Sequence, residues 1–132
     1  MPDIDDSTRC LCGTGLTYGE CCGPFLAATA QPPTAERMMR SRYTAYVLRH
    51  PGYLLATWHP STRPPSLVLD PDTLWLGLEI LRRTRGGMLD TEGTVEFRAT
   101  YRRDGMRLHQ HEDSRFVRDA KTWYYVDGTV SV

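Results

Sequence analysis

The sequence lacks several features that would indicate a nucleic-acid-binding, membrane or secreted protein. Its 132 residues include 16 basic and 16 acidic side chains, so the formal net charge is zero and gives no overall attraction to nucleic acid or anionic lipid. It contains no run of about 18 apolar residues, the length that a membrane span needs. Residues 1–6 are acidic and lack the basic and apolar regions of a secretory signal. We therefore expect a cytoplasmic protein without a membrane span.

Cysteine is absent after residue 22, because all four cysteines lie within thirteen residues: Cys10, Cys12, Cys21 and Cys22. Four thiols this close supply the ligands of a closed tetrahedral zinc site. The segment has few large apolar side chains, so bound zinc would supply its folding energy. The alternatives are two disulfides, redox-active thiols or another metal. Disulfides would need an oxidising compartment, and a filled coordination sphere would leave no thiol free to react.

The remaining chain has no internal repeat, and its hydrophobic pattern changes from a helical period to a strand period. Helical spacing predicts a helix from Thr34 to about His50 and a second short helix over residues 53–59. Later alternation predicts strands, with a hairpin at Asp104-Gly105 and a last strand that ends at Val126. In the first strand, the side chains expected to share one face are Leu74, Leu76, Leu78 and Ile80. Helices followed by an antiparallel meander predict an α+β domain.

Two polar residues interrupt the apolar face of the strand predicted for residues 107–118. Glu112 and Ser114 should point toward the core or a cavity, where a carboxylate needs a partner. Arg42 and Tyr43 on the long helix are natural partners, since a guanidinium can bind a carboxylate through two hydrogen bonds. One interpretation is a buried ion pair that orients helix on sheet, and the other is a small-ligand pocket. The residues expected to line that pocket are Arg42, Tyr43, Trp58, Trp75, Glu112 and Ser114.

Sequence signals of catalysis are also missing. No nucleophile elbow, phosphate-binding glycine loop or dinucleotide fingerprint occurs, so we assign no catalytic residue and favour a non-enzymatic protein. Lysine is nearly absent, and Lys121 is the single one among the 16 basic residues. Arginines on the predicted strands could form a basic stripe, although solvated strand faces explain them as well. These arginines are Arg82, Arg83, Arg85, Arg98, Arg102, Arg103 and Arg107.

Two groups of motifs resemble known families. The pattern Cys-x-Cys, eight residues and Cys-Cys-Gly-Pro resembles the SEC-C motif, named for the zinc-binding C-terminal tail of SecA. The remainder resembles the YchJ family of bacterial proteins, through Ser41-Arg42-Tyr43-x-Ala45-Tyr46, Trp75-x-Gly77-Leu78, Val95-x-Phe97-x-Ala99, Glu112-x-Ser114-x-Phe116 and Trp123-Tyr124-Tyr125-x-Asp127-Gly128.

The resemblance implies a SEC-C zinc-binding motif over residues 1–28 and a nuclear transport factor two-like (cystatin-like) domain over residues 29–132. Such a domain is a cone of helices against a curved antiparallel sheet, with a cavity inside. Zinc is the implied cofactor, and a protein partner at the zinc knuckle is implied because the SecA tail contacts a chaperone and the ribosome. We therefore expect a non-catalytic zinc-binding adaptor. The alternatives are a small-molecule binder or enzyme that uses the cavity, and an RNA- or ribosome-associated protein.

Overall fold

The protein, represented by a computed structural model that describes residues 4–131, has helices in its first half and a sheet in its second. The helices are α1 (Gly23–Leu26), α2 (Ala35–Val47) and α3 (Pro51–Ala56), and a single 3-10 turn (Tyr18–Glu20) precedes them. The strands are β1 (Leu74–Arg85), β2 (Glu92–Arg103), β3 (Met106–Asp119) and β4 (Thr122–Ser131). They pair antiparallel in the order β1-β2-β3-β4. The predicted α+β fold is confirmed.

Helix α2 connects the cysteine segment with the sheet. Thr34 caps its N-terminus, because its side chain accepts a hydrogen bond from the backbone N–H of Arg37 at 3.2 Å. Glu36 in the first turn favours the positive end of the helix dipole. The buried residues of the helix are Ala35, Met38, Met39, Ser41, Arg42, Tyr43, Thr44 and Ala45. A helix buried on more than one side can carry residues for two separate sites.

Strand β1 contains a β-bulge, and the predicted face of its leucines was wrong as a result. The pairing with β2 skips Leu76, so the alternation of side chains is reset at this point. Trp75, Leu78 and Ile80 pack against the main core, whereas Leu74 and Leu76 are 56% and 41% exposed. A strict period of two would place Leu74, Leu76, Leu78 and Ile80 on one face only if no extra residue were inserted in the strand.

Strand β4 continues to Ser131 and does not end at Val126, as the sequence had suggested. Its pairing with β3 skips Val126, which makes another bulge next to the core. Gly128 therefore lies in a strand opposite Ser114. A Cβ atom at Gly128 would overlap the carboxylate of Glu112, so this glycine makes room for a side chain and does not form a turn. The hairpin predicted at Asp104-Gly105 is present, with φ values of 53° and 75°.

The four cysteines belong to the main hydrophobic core. They share one cluster with Met38, Met39 and Tyr43 of α2 and with apolar residues of the sheet such as Phe116 and Trp123. A smaller cluster contains Phe25, Ala45, Tyr53 and Leu54 and lies between α1, α2 and α3. The division into units at residues 1–28 and 29–132 remains a prediction.

Replacement of Tyr53 by Phe should flatten the alkaline dependence of stability. Burial raises the pKa of Tyr53 to about 12, although its hydrogen bond with Ser41 acts in the opposite direction. The unfolded state then ionises first, so stability is complete below about pH 10 and falls as the pH rises through 12. We expect Tyr53 alone to account for about 1 kcal/mol of the loss between about pH 9 and pH 11. Urea unfolding of both proteins at the two pH values measures it, and equal losses would contradict the assignment.

Candidate metal centre and cavity

The four cysteine side chains converge at one buried point. Cys10 and Cys12 lie on a loop closed by a hydrogen bond from the backbone N–H of Cys10 to the carbonyl of Leu16 at 2.8 Å. Cys21 and Cys22 lie in the turn that leads into α1. The four Sγ atoms lie within 4.8 Å of one another. They are separated by 3.6 Å between Cys12 and Cys21 and by 3.9 Å between Cys21 and Cys22.

This arrangement fits a four-coordinate metal ion. Zinc–sulfur bonds of about 2.3 Å place the corners of a tetrahedron about 3.8 Å apart, close to the observed sulfur separations. All four cysteines are free and at most 5% exposed. The four thiols could therefore hold a metal ion, as the sequence predicted, and none of them would be left facing solvent.

The close contacts among the thiols also shift their pKa values away from that of an ordinary cysteine. Hydrogen bonds with Cys12 and Cys22 lower the pKa of Cys10 far below that of an ordinary thiol. The hydrogen bond with Cys10 raises the pKa of Cys12 to about 11, and contacts with Cys10 and Cys12 raise that of Cys22 still further. The raised pKa values mean that Cys12 and Cys22 hold their protons more strongly than an isolated thiol does. A metal ion would displace the remaining protons and balance the thiolate charge.

Three residues around the thiols were not found by sequence reasoning. Thr44 of α2 donates to Cys22 Sγ at 3.4 Å, and the hydroxyl of Thr14 lies 3.2 Å from Cys21 Sγ. Arg40 donates through Nη1 to the carbonyl of Cys12 at 2.7 Å. Neighbours of this kind orient metal ligands. Two of the three come from α2, so only the fold reveals them.

A cavity of about 160 Å³ lies between α2 and the sheet. It is lined by Met39, Arg42, Tyr43, Tyr46, Trp58, Trp75, Phe97, Ala99, Gln110, Glu112, Ser114 and Tyr125. The structure thus places all six residues of the predicted pocket around one space. Trp58, Trp75 and Phe97 form part of its wall and leave it unfilled.

The expected pairing of Arg42 with Glu112 was wrong. Within residues 4–131, these two side chains form no ion pair. Arg42 donates through Nη1 to the carbonyl of Leu54 at 2.8 Å and to the hydroxyl of Thr57 at 2.7 Å. These acceptors belong to α3 and its C-cap, so the hydrogen bonds of the guanidinium hold α2 against α3, while its contact with the sheet is the stacking on the ring of Tyr125 in β4.

Glu112 has neutral partners instead of a cation. Its Oε1 accepts from Ser114 Oγ at 3.0 Å and from the hydroxyl of Tyr125 at 3.4 Å, and its Oε2 accepts from Gln110 Nε2 at 2.9 Å. Burial, reinforced by the charge of Glu112, raises the pKa of Tyr125 and keeps this hydroxyl protonated as a donor. The carboxylate is therefore satisfied by its own strand and its neighbour.

His59 does not lie beside Glu112, so the cavity contains no histidine–carboxylate pair for acid–base chemistry. The Nε2 atom of His59 lies 3.4 Å from Asp119 and its Nδ1 atom lies 2.7 Å from Ser61 Oγ, outside the cavity. His59 therefore cannot act together with Glu112 on a ligand bound in the cavity.

Carboxylates interrupt the predicted basic stripe. Arg83 pairs with Glu36 at 2.7 Å, Arg98 with Glu79 at 2.7 Å, Arg103 with Asp70 at 2.9 Å and Arg85 with Asp90 at 3.6 Å. These local pairs reduce the positive potential that an RNA backbone would need. The geometry does not favour the RNA-binding alternative.

Comparison with known proteins agrees with these features. A model of the SEC-C motif matches residues 7–24, and a model described as the middle NTF2-like domain of YchJ matches residues 34–128, which is more than half of the chain. The chain belongs to the YchJ family. A YchJ-family relative from Streptomyces coelicolor, a UPF0225 protein, is 51% identical over 119 residues, which are 90% of this chain and 93% of the relative. A UPF0225 protein from Chromobacterium violaceum is 50% identical over 126 residues, 92% of this chain and 93% of the relative.

Solved structures share the YchJ-family fold. The solution structure of a SEC-C motif containing protein from Rhodopseudomonas palustris has a TM-score of 0.81 and 36% identity, and the match covers 93% of this chain and 98% of that one. The crystal structure of a SEC-C motif containing protein from Psychrobacter arcticus has a TM-score of 0.75 and 30% identity, over 96% and 85% of the two chains. Among the described residues, no helix has the length and apolar character needed to cross a membrane.

Proposed function

We propose that Cys10, Cys12, Cys21 and Cys22 hold one zinc ion and that this ion is structural. The supporting observation is the burial of all four thiols within 4.8 Å of one another. A tetrahedral ion bound by four thiolates has no open position for substrate or water, which is typical of structural zinc. In this protein, the ion would attach the N-terminal segment to α2, whose Thr44 and Arg40 contact the ligating residues.

Elemental analysis tests the identity of the metal. Protein purified without chelator should contain one zinc per chain, and Cys21→Ser should lose most of it. Thr29→Ala is a matched control in the same segment, because its exposed hydroxyl donates a hydrogen bond to the carbonyl of Pro24 and to no thiol. One iron per chain, or metal-free protein with its sulfurs in disulfides, would contradict the proposal.

We further propose that the protein is a non-catalytic adaptor, in which the zinc knuckle presents a surface to a protein partner. The resemblance to the SecA tail supports this role. Because the metal site is closed, the surface of the knuckle is the part that a partner can reach. Leu11 and Leu16 lie on that surface and are 37% and 43% exposed. Exposed leucines on a metal-stabilised loop are suited to contact an apolar patch of another protein.

Affinity capture from a bacterial lysate tests the adaptor role without disturbing the metal. The double variant Leu11→Ser, Leu16→Ser should lose a set of proteins that the unchanged chain captures, and should keep its zinc. Leu89→Ser is the control, because Leu89 is 94% exposed and lies in the loop between β1 and β2. Identical sets of captured proteins for all three chains would count against a partner at the knuckle.

A further inference from the structure

Arg42 has hydrogen-bond donors that the protein does not use. The guanidinium carries five N–H groups, and the two on Nη1 are directed to Leu54 and Thr57. Within residues 4–131, Nε and Nη2 of Arg42 have no partner. The one fully enclosed side-chain nitrogen without a partner in this part of the chain is Nε of Arg37. The free nitrogens of Arg42 must therefore touch open space, and the space that Arg42 lines is the cavity.

The free edge of this guanidinium has a defined chemical complement. Nε and Nη2 form the side of an arginine that binds a carboxylate through two parallel hydrogen bonds. Arg42 as a whole is only 3% exposed, and burial lowers the pKa of its guanidinium. An anion bound at that edge would favour the charged form. Glu112 does not fill this role, because both of its oxygens are already held by neutral donors.

The rest of the cavity indicates the body of the ligand. Arg42 is held between the rings of Trp58 and Tyr125, at 5.3 Å and 4.6 Å from their centroids, so its position is fixed. Trp75 and Phe97 line the same space with apolar surface. A volume of 160 Å³ is similar to that of engineered cavities of about 150 Å³ that bind benzene. The space admits one six-membered ring or a chain of similar size.

We propose that this cavity binds a small organic monocarboxylate, with the carboxylate on the free edge of Arg42 and an apolar or aromatic body against Trp75 and Phe97. The ligand would have about six to nine non-hydrogen atoms, as the volume requires. This site is separate from the metal centre, and its test does not depend on a partner at the knuckle.

Benzoate and its neutral isostere benzamide test the proposal on the unchanged, zinc-loaded protein. In a nuclear magnetic resonance titration at about pH 7, benzoate should shift the amide signals of cavity residues such as Ala99 and Ser114 to saturation. Benzamide should bind at least about tenfold more weakly, because it lacks the charge that strengthens a hydrogen bond to Arg42. Absence of saturable shifts at the cavity, or equal binding of the two compounds, would overturn the proposal.

Two arginine variants localise the effect. Arg42→Met keeps an unbranched side chain between the two rings and should reduce benzoate binding to the level of benzamide. Arg37→Met is the control, because Arg37 belongs to the same helix and stacks on Phe25, outside the cavity. The tenfold preference should persist in Arg37→Met, and its persistence in a folded Arg42→Met protein would overturn the assignment. If Arg42→Met does not fold, the comparison of benzoate with benzamide on the unchanged chain decides the question.

Discussion

Removal of the zinc ion that we propose for the four thiols is expected to detach the N-terminal segment from α2 and to lower the midpoint of thermal unfolding by at least about 10 °C. Zinc contributes on the order of 10 kcal/mol to the folding of small thiolate sites. Here the thiols are also part of the main core, in contact with the cluster that contains Met38 and Met39. Without the ion, four buried thiols must either keep their protons in close contact or separate. Separation would expose the buried side of α2 as well.

The measurement combines metal removal with an observation of each part of the chain. A chelator that takes up all the zinc should broaden or move the amide signals of residues 4–30 and shift those of Thr44 and Arg40, while much of the β2–β3 hairpin remains. Re-addition of zinc should restore the midpoint, and magnesium, which prefers oxygen ligands, should not. Complete loss of metal with an unchanged midpoint would show that the ion contributes nothing to the fold.

The convergence of the four thiols was predictable because its signal is local. The cysteines lie within thirteen residues, and this spacing is typical of a tetrahedral metal site. The groups that surround the thiols were not predictable in this way. Thr44 reaches Cys22 across 22 positions in the chain, and Arg40 reaches the carbonyl of Cys12 across 28. Only the packing of α2 against the segment brings them together.

In the sheet, the alternation of apolar residues predicts the buried face of β2 but not that of β1. In β2, Val95, Phe97 and Ala99 are buried, as their alternation predicts. In β1 the same reasoning failed at Leu74 and Leu76, because a bulge inserts one residue and reverses the faces. A bulge is set by pairing with the neighbouring strand, and a single strand's sequence carries no record of that register.

The six residues expected around a pocket do line one cavity, but the hydrogen bonds that Arg42 and Glu112 form there were not predicted. Opposite charges on facing elements suggested a bond between Arg42 and Glu112. Each found other partners nearby: Leu54 and Thr57 for the arginine, and the neighbouring side chains of β3 and β4 for the carboxylate. Hydrogen bonds to carbonyl and hydroxyl groups satisfy a buried charge without an ion pair. Carbonyl, hydroxyl and amide groups carry no net charge, so a search of the sequence for complementary charges does not find them as partners.

Replacement of Gly93 by Ala should be among the most destabilising single changes, with a loss of more than about 3 kcal/mol in the free energy of unfolding. A Cβ atom at Gly93 would lie 2.5 Å from the backbone nitrogen of Gly86 and closer still to its Cα. Because both are backbone atoms, the clash can be relieved only if the backbone of one of the two segments moves. Gly86 in turn accepts a hydrogen bond from the backbone N–H of Ala35 at 2.9 Å, which fixes the start of α2.

The clash would therefore be transmitted to the helix that serves both the metal centre and the cavity. Gly77→Ala is the matched control, since Gly77 also lies in a strand and has no atom within 4 Å of the position of a Cβ. Loss of glycine's freedom in the unfolded chain should make that change neutral or stabilising by about 0.5 kcal/mol. Urea unfolding of the two zinc-loaded variants measures both effects. Equal stabilities would show that the contact between Gly93 and Gly86 does not hold α2 in place.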